Sequence, residues 1–128
     1  YSFINKKKIK LRCSKNNNLK TIKAVGSFHG NTKKKERIKL VKKLGKSLRL
    51  VSFDALSYCL LAEGKVDAVI ETNLKPYDII PLIPIIQKAG GIISNWRNKP
   101  AENGGDILAT SNRNLHKKIL KLLRPIKN

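Results

Sequence analysis

The chain has 128 residues and opens with Tyr1, which suits one domain or one piece of a larger protein. Its 28 lysines and arginines against 8 acids give a formal net charge of +20, which attracts phosphorylated small molecules, nucleic acids and anionic lipids. No apolar run reaches the ~20 residues that cross a bilayer, and Cys13 and Cys59 show neither zinc-ligand spacing nor a disulfide framework, so we expect a soluble, reduced, cytoplasmic protein.

The spacing of apolar residues predicts strands that alternate with helices. The first residues alternate apolar and basic side chains and predict a hairpin with its turn at Asn5-Lys6-Lys7, followed by a polar loop that ends at residue 18. Further strands are predicted at residues 21–27, 47–53, 66–71, 92–96 and 106–110. This alternation is typical of a layered α/β architecture, a sheet with flanking helices.

Two helices are predicted from capping residues and from apolar residues at helical spacing. The first begins at Asn31 or Thr32 and ends at Gly45, and the second begins at a cap formed by Asp54 and ends at Gly64. Their buried sides are predicted to be Ile38, Val41 and Leu44 in the first helix and Leu56, Cys59 and Leu60 in the second.

Two more helices are predicted in the second half of the chain. The run from Asp78 to Lys88 is apolar on nearly every side, which predicts a buried helix. Pro81 is tolerated in its first turn, and Pro84 should bend it. A terminal helix is predicted to bury Leu115, Ile119, Leu122 and Leu123.

The acids of this basic chain are concentrated in one region. Five of the eight carboxylates fall between residues 54 and 78, namely Asp54, Glu63, Asp67, Glu71 and Asp78. Carboxylate oxygens bind hard divalent cations, so the cluster can build a cation site. The equally weighted alternative makes Asp54 a helix cap and Glu63 and Asp67 surface residues beside a turn.

Asp78 stands where a strand and its loop enter an apolar helix, so its carboxylate must be a cap, a paired group or a metal ligand. Ligand sites of layered α/β proteins lie at such strand ends. Lys75 could contact a phosphate, although in a lysine-rich chain a bystander role is more common. His29 and His116 are isolated in sequence and are predicted to lie on the surface.

Tyr77-Asp78, followed by an apolar helix that ends in Lys88-Ala89-Gly90-Gly91, matches a known signature of an aromatic residue, Asp and a closing (E/K)-A-G-G. At these residues the chain resembles the inositol monophosphatase family of magnesium-dependent phosphatases. The motif LKPYD at residues 74–78, followed by LIPII at residues 82–86, resembles the histidinol-phosphatase branch of this family. SYCLLAEGKVDAVIE upstream and GGDILATSNRNLHKKIL downstream also resemble the family, and the resemblance runs from about Thr21 to the end.

The resemblance implies the carboxy-terminal part of the αβαβα sugar-phosphatase fold. Residues 1–128 would then form a single domain, the carboxy-terminal portion of a larger phosphatase, and residues 1–18 a hairpin and loop from the preceding half. The implied activity is Mg²⁺-assisted attack of water on a small phosphate monoester. Histidinol phosphate, an intermediate of histidine biosynthesis, is the first expectation, with inositol phosphates and nucleotide phosphates as alternatives, and the full-length protein is expected to be a homodimer.

Site residues follow from the same resemblance. Asp78 matches a metal-binding aspartate, and Glu71 matches an acid that contacts a hydroxyl or amine of the substrate. Asp54 falls where the histidinol-phosphatase branch places a substrate-side acid, and Ser52 beside it is counted with the substrate contacts. That branch has Gly-Gly before the acid, whereas this chain has Ser52-Phe53, and Phe53 adds bulk where a ligand is expected.

The family's other metal ligands, a Glu pair and a DP(I/L)DGT signature, have no counterpart in the chain. Mg²⁺ relies on several carboxylates, its own waters and substrate phosphate, so Asp78 alone would hold it poorly. We therefore expect no catalytic residue within these 128 residues and no activity of the chain by itself.

Two rival functions remain. The clusters at residues 6–8, 33–35 and 117–118 favour a basic nucleic-acid-binding module, but the aromatic residues are scattered and form no predicted stacking platform. Lysine also serves throughout the chain as an ordinary solvated residue. The second rival is a small α/β interaction domain that has lost catalysis.

Overall fold

The computed structural model describes residues 2–4, 7–9, 11–28, 34–51 and 53–123, in which a five-stranded mixed sheet lies between two layers of helices. This arrangement confirms the layered α/β architecture expected from the sequence. None of the helices in these ranges is long and apolar enough to cross a membrane.

The described residues contain seven strands in two sheets. Strands β1 (Ser2–Ile4) and β2 (Lys7–Ile9) pair antiparallel as a separate ribbon. The order in the five-stranded sheet is β4-β3-β5-β7-β6, in which β3 is parallel to β4 and β5, and β7 is antiparallel to β5 and β6. The strands of this sheet are β3 (Ala24–Ser27), β4 (Leu48–Leu50), β5 (Ala68–Leu74), β6 (Ile92–Asn95) and β7 (Gly105–Thr110).

Alternation along the strands divides the core between the two faces of the sheet. In β5, Val69 packs against the helices α2 (Ala55–Ala62), α3 (Pro76–Ile79) and α4 (Ile83–Lys88). Its neighbours Ala68 and Ile70 point to the opposite face, where they belong to the core beneath the helices α1 (Lys34–Leu44) and α5 (Arg113–Leu123). The fold is therefore a three-layer sandwich with a different set of helices on each face.

The predicted buried side of α1 is wrong for two of its three residues. Ile38 is 56% exposed and Val41 is 43% exposed, whereas Leu40 and Leu44 are buried. Both pairs fit helical spacing, and only the contact with the sheet and α5 selects the stripe that contains Leu40 and Leu44. The proposed caps at residues 31 and 32 lie outside the described residues.

The predicted buried side of α2 is also wrong. Leu56 is 55% exposed, and Cys59 and Leu60 are only partly buried. The buried residues are Ser57, Tyr58, Leu61 and Ala62. Because α2 is apolar on most sides, its sequence leaves its rotation about the helix axis undetermined, and the packing against α4 and β5 decides it.

The run that follows β5 is a broken helix and not a continuous one. A 3₁₀ turn at Ile80–Leu82 separates α3 from α4, because Pro81 and Pro84 lack the N–H groups that a continuous α-helix needs. The prediction that this run is buried on nearly every side is wrong, since Ile80 is 48% exposed and Ile85 is 37% exposed.

Gly90 and Gly91 end α4 for two different physical reasons. Gly90 has φ +94°, a left-handed backbone conformation that favours glycine. A Cβ on Gly91 would lie 2.9 Å from the carbonyl oxygen of Thr110 and 2.8 Å from Ile86 Cγ2, which is too close for either contact. The Gly-Gly pair therefore allows α4 to turn tightly into β6 against the sheet.

Candidate functional site

A cavity of about 610 Å³ opens between the end of β5, the start of α2 and the start of α3. Its lining residues are Asp54, Ala55, Tyr58, Glu71, Asn73, Leu74, Asp78 and Leu82. Three acids that the sequence singled out therefore meet in one cavity, although 24 positions separate the first from the last.

Glu71 is fixed by its strand. It lies opposite Ser27 of β3 and Ile107 of β7, and its side chain is 6% exposed. The alternation of β5 places Glu71 on the same face as Val69, toward α2. A carboxylate on a central strand is held more rigidly than one on a loop, which makes Glu71 a well-positioned ligand group.

The backbone around the cavity is strained at two non-glycine residues. Asn73 has φ +59° where the pairing of β5 with β7 shifts register, and its N–H donates to Asp106 Oδ1 at 3.2 Å. Asp54 has φ +50°. Left-handed conformations of non-glycine residues concentrate at functional sites, and both of these residues line the cavity.

Asp78 lies on the exposed side of the cavity, in the first turn of α3. The backbone N–H of Lys75 donates to Asp78 Oδ2 at 3.0 Å, which fixes the carboxylate at the beginning of the helix. The position predicted for Asp78, at the start of a helix, agrees with this geometry. The Lys75 side chain is exposed and is not part of the cavity lining.

Asp54 immediately precedes α2, but its side chain makes no capping hydrogen bond to that helix. The prediction of a helix-capping carboxylate is therefore wrong. An N-cap residue needs an extended backbone for its side chain to reach the first free N–H groups, and the positive φ of Asp54 departs from that conformation. The carboxylate instead contributes to the cavity wall.

Tyr58 forms the inner wall of the cavity and is 2% exposed. Burial raises the pKa of its phenol far above the usual range, and the negative charges of Glu71 and Asp78 raise the pKa further. Glu71 is close enough for its charge to act on the phenol, yet the hydroxyl reaches hydrogen-bonding geometry with no group of the described residues. The site thus contains a buried, protonated hydroxyl close to the Glu71 carboxylate, with no partner at hydrogen-bonding geometry among the described residues.

The other two acids of the predicted cluster have structural roles. Glu63 pairs with Lys65 at 3.1 Å on the surface. Asp67 is buried, accepts hydrogen bonds from the Ser14 hydroxyl and the Lys23 N–H, and ties the segment before β3 to the sheet. The surface interpretation is correct for Glu63 and wrong for Asp67.

The electrostatics of the cavity favour a cation. None of the eight described lining residues is basic, and three are acids. Carboxylate oxygens suit a hard divalent ion, but no group of three or more His, Cys, Asp or Glu side chains in the described ranges is arranged closely enough to hold a metal ion. The cavity fits part of a cation site, and further ligands would have to complete it.

Three residues that the sequence analysis named are not part of this cavity as the structure describes it. Ser52 and His29 lie outside the described residues. His116 does not lie on the surface as predicted, since it is 3% exposed on the buried side of α5, with Ser94 Oγ 2.7 Å from Nε2 and Thr110 Oγ1 2.8 Å from Nδ1. It belongs to the face of the sheet opposite the cavity.

Tyr58 and Asn73 were missed by the sequence prediction. Tyr58 stands one turn after Asp54, and it could have been found if the predicted buried stripe of α2 had been shifted by two residues, to Tyr58, Leu61 and Ala62. Asn73 gives no signal, because its positive φ results from the irregular pairing of β5 and β7.

The sequence and the fold match known proteins. The model of the inositol monophosphatase family matches residues 2–128. The chain is 52% identical over 50 residues to "Bifunctional phosphatase IMPL2, chloroplastic" of Arabidopsis thaliana, which is 39% of this chain and 14% of that protein. It is 37% identical over 70 residues to "Histidinol-phosphatase" of Mycobacterium tuberculosis, which is 55% of this chain and 26% of that protein.

A solved structure gives the same fold. The extragenic suppressor protein suhB from Bartonella henselae superposes with a TM-score of 0.78 at 21% identity, over 90% of this chain and 47% of that one. The chain thus spans about half the length of this neighbour and less of the two curated relatives. Because the family match covers residues 2–128, the chain belongs to the inositol monophosphatase family of phosphatases.

Proposed function

We propose that these residues form the carboxy-terminal part of a Mg²⁺-dependent phosphomonoesterase that hydrolyses histidinol phosphate. The observation that carries the proposal is the meeting of Asp54, Glu71 and Asp78 in one cavity beside the buried hydroxyl of Tyr58. Converging acids at the end of a central strand, next to an unused buried donor, suit a site that binds a polar ligand together with a cation.

A phosphate dianion would be repelled by the three lining acids, because no lining residue described supplies a compensating positive charge. A divalent cation removes that repulsion, and when bound it polarises the phosphate and lowers the pKa of an attacking water. Asp78 is the residue of this chain that would hold the cation, since its carboxylate is fixed by the Lys75 N–H on the exposed side of the cavity.

Glu71 and Asp54 would bind the part of the substrate away from the phosphate. Histidinol phosphate carries an ammonium group, which pairs well with a carboxylate, and inositol phosphates carry hydroxyls that donate to one. The raised pKa keeps Tyr58 protonated, so its hydroxyl can donate a hydrogen bond to the substrate and does not act as a phenolate. Ser52 is proposed as a further contact on the substrate side.

Two observations support the choice of histidinol phosphate. The sequence of residues 74–86 resembles the histidinol-phosphatase branch, and the similar protein of Mycobacterium tuberculosis is named "Histidinol-phosphatase". Inositol monophosphate and nucleotide phosphates are the alternatives within the family. We place the protein in the cytoplasm and propose that the full-length protein is a homodimer.

The isolated 128-residue chain is proposed to be inactive. In the described ranges no set of three ligand side chains is assembled, and Mg²⁺ needs six oxygen ligands in near-octahedral geometry, of which Asp78 by itself would supply few. The missing ligands would come from residues outside this sequence.

The test is phosphate release by the longest natural chain that contains these residues, with histidinol phosphate and with inositol monophosphate, with and without Mg²⁺. Asp78→Asn should abolish Mg²⁺-dependent release from histidinol phosphate, and Glu63→Gln is the matched control because Glu63 carries the same charge outside the cavity. Release from inositol monophosphate and not from histidinol phosphate would identify inositol monophosphate as the substrate of the two. Absence of release from either substrate in the unaltered protein would overturn the proposal.

A further inference from the structure

The positive charge of this protein is distributed unevenly between the two faces of the sheet. Residues 34–47, on and after α1, contain seven lysines and arginines and one acid, and α5 contains four cations and no acid. Residues 54–91, which form the opposite helical layer and the end of β5, contain three cations and five acids. A general excess of lysine would enrich both layers alike, so composition does not account for this segregation.

The two basic helices form one continuous surface. α1 and α5 pack against the same face of the sheet through Leu40, Leu44, Leu115 and Ile119, all of which are buried. Their other sides face solvent and carry rows of cations spaced four residues apart, which is a rise of about 6 Å per step. The rows are Lys35, Lys39 and Lys43 in α1 and Arg113, Lys117 and Lys121 in α5.

These rows have no evident benefit to stability. Like charges four residues apart on a helix are unfavourable by a few tenths of a kcal/mol per pair. Lys39, Lys43, Lys117 and Lys121 make neither an ion pair nor a hydrogen bond within the part of the chain that the structure describes. An external anion would relieve the repulsion within both rows.

We propose that the outer surface of α1 and α5, hereafter the basic face, binds the phosphate backbone of double-stranded nucleic acid without sequence specificity. Repeated phosphates at short intervals complement two neighbouring rows of exposed cations. Neither helix contains Phe, Tyr or Trp, and His116 of α5 is buried, so the surface has no ring on which unpaired bases could stack, which favours a duplex over a single strand.

A membrane surface fits less well. Interfacial helices insert a wide apolar side into lipid, but the apolar sides of α1 and α5 are buried against the sheet. Ile38 and Val41 are the exposed apolar residues of α1, and they lie among lysines. The basic face and the acidic cavity are on opposite faces of the sheet, so both can be occupied at once.

The test measures binding of a duplex of about 20 base pairs by fluorescence anisotropy from about 50 to about 200 mM salt. The protein is the longest natural chain that contains residues 1–128. The variant on the basic face is Lys39→Gln, Lys117→Gln and Lys121→Gln combined. The matched control neutralises the same number of exposed lysines elsewhere, Lys65→Gln, Lys88→Gln and Lys99→Gln, so that both variants have the same net charge.

We expect the basic-face variant to bind the duplex roughly tenfold or more weakly than the unaltered protein. The slope of log affinity against log salt concentration should become less steep by about 2 to 3. The affinity of the control variant should stay within about twofold of that of the unaltered protein. If duplex binding were weakened equally in both variants, the loss of affinity would depend on net charge and not on the basic face, and the proposal would be overturned. Failure of the unaltered protein to bind, or tighter binding to phosphatidylserine vesicles that the duplex does not displace, would also overturn it.

A second measurement does not depend on the folding of any variant. Chemical acetylation of the unaltered protein should be slowed by the duplex at Lys39, Lys117 and Lys121 and unchanged at Lys65, Lys88 and Lys99. Protection of both groups alike would contradict a defined basic face.

Discussion

Asp78 Oδ2 accepts a hydrogen bond from the backbone N–H of Lys75 at 3.0 Å. The bond holds the carboxylate at the start of α3, on the exposed side of a cavity whose deeper wall contains Glu71. A helix start thus sets the direction of one acid and a central strand sets that of the other. The two acids reach one cavity because β5 leads directly into α3.

Replacing Asp78 with Asn should separate function from stability. Asn keeps an oxygen that can accept the Lys75 N–H, so the free energy of unfolding should change by about 1 kcal/mol or less. Mg²⁺-dependent phosphate release by the longest natural chain that contains these residues should fall at least about 100-fold, because the proposed metal ligand loses its negative charge. Urea denaturation and phosphate release measure the two effects, and a large loss of stability would show that Asp78 serves mainly as a helix cap.

Tyr58→Phe should leave the protein as stable as before or make it more stable by about 1 kcal/mol. The hydroxyl is buried and forms no hydrogen bond within the described residues, so its removal eliminates an unsatisfied group without opening a cavity. Tyr58→Ala is the contrasting variant, and it should cost about 3 to 5 kcal/mol because it leaves a void beside α2. A loss of more than ~1 kcal/mol on Tyr58→Phe in urea denaturation would show that the hydroxyl has a partner in solution.

His116 should make stability fall as the pH decreases from about 6.5 toward 4. Burial, followed by the charge of Arg113, lowers the pKa of His116 to about 4 in the folded protein. The unfolded chain, with a pKa near ~6.5, binds the proton first, so protonation favours unfolding within this window and not above it. The loss should be on the order of 2 kcal/mol, measured by denaturation at several pH values.

The hydrogen bonds of His116 are compatible with a neutral ring. With the Ser94 hydroxyl donating to the Asn95 carbonyl at 2.8 Å, Nε2 of His116 donates to Ser94 Oγ. Nδ1 is then the acceptor for the Thr110 hydroxyl at 2.8 Å, and the Asn112 carbonyl, at 3.1 Å, is the competing acceptor for that hydroxyl. His116→Gln should flatten the dependence of stability on pH, and an unchanged slope in that variant would assign the effect to other groups.

Asp67→Ala should destabilise the protein by about 2 to 4 kcal/mol. It removes the acceptor for the Ser14 hydroxyl and the Lys23 N–H in a part-buried position. Glu63→Ala is the control, because its ion pair with Lys65 is at the surface and contributes little. Thermal unfolding measures both, and equal effects of the two substitutions would contradict the structural role of Asp67.

The sequence determined the classes of element and their order. Apolar spacing and the glycines that end helices predicted alternating strands and helices, and the strands form within or overlapping the predicted ranges. It also singled out the three acids that line the cavity, since Asp54, Glu71 and Asp78 stand out in a chain with so few carboxylates.

Only the tertiary structure decided which sides of the helices are buried and which of the acids meet. Leu40 rather than Val41 is buried, and Asp67 rather than Glu63, because the sheet and its neighbours select one of several stripes that local spacing permits. Tyr58 and His116 acquired their environments in the same way, from strands and helices distant in sequence. Local sequence sets backbone preference, whereas burial, and with it charge state and the composition of a site, depends on long-range packing.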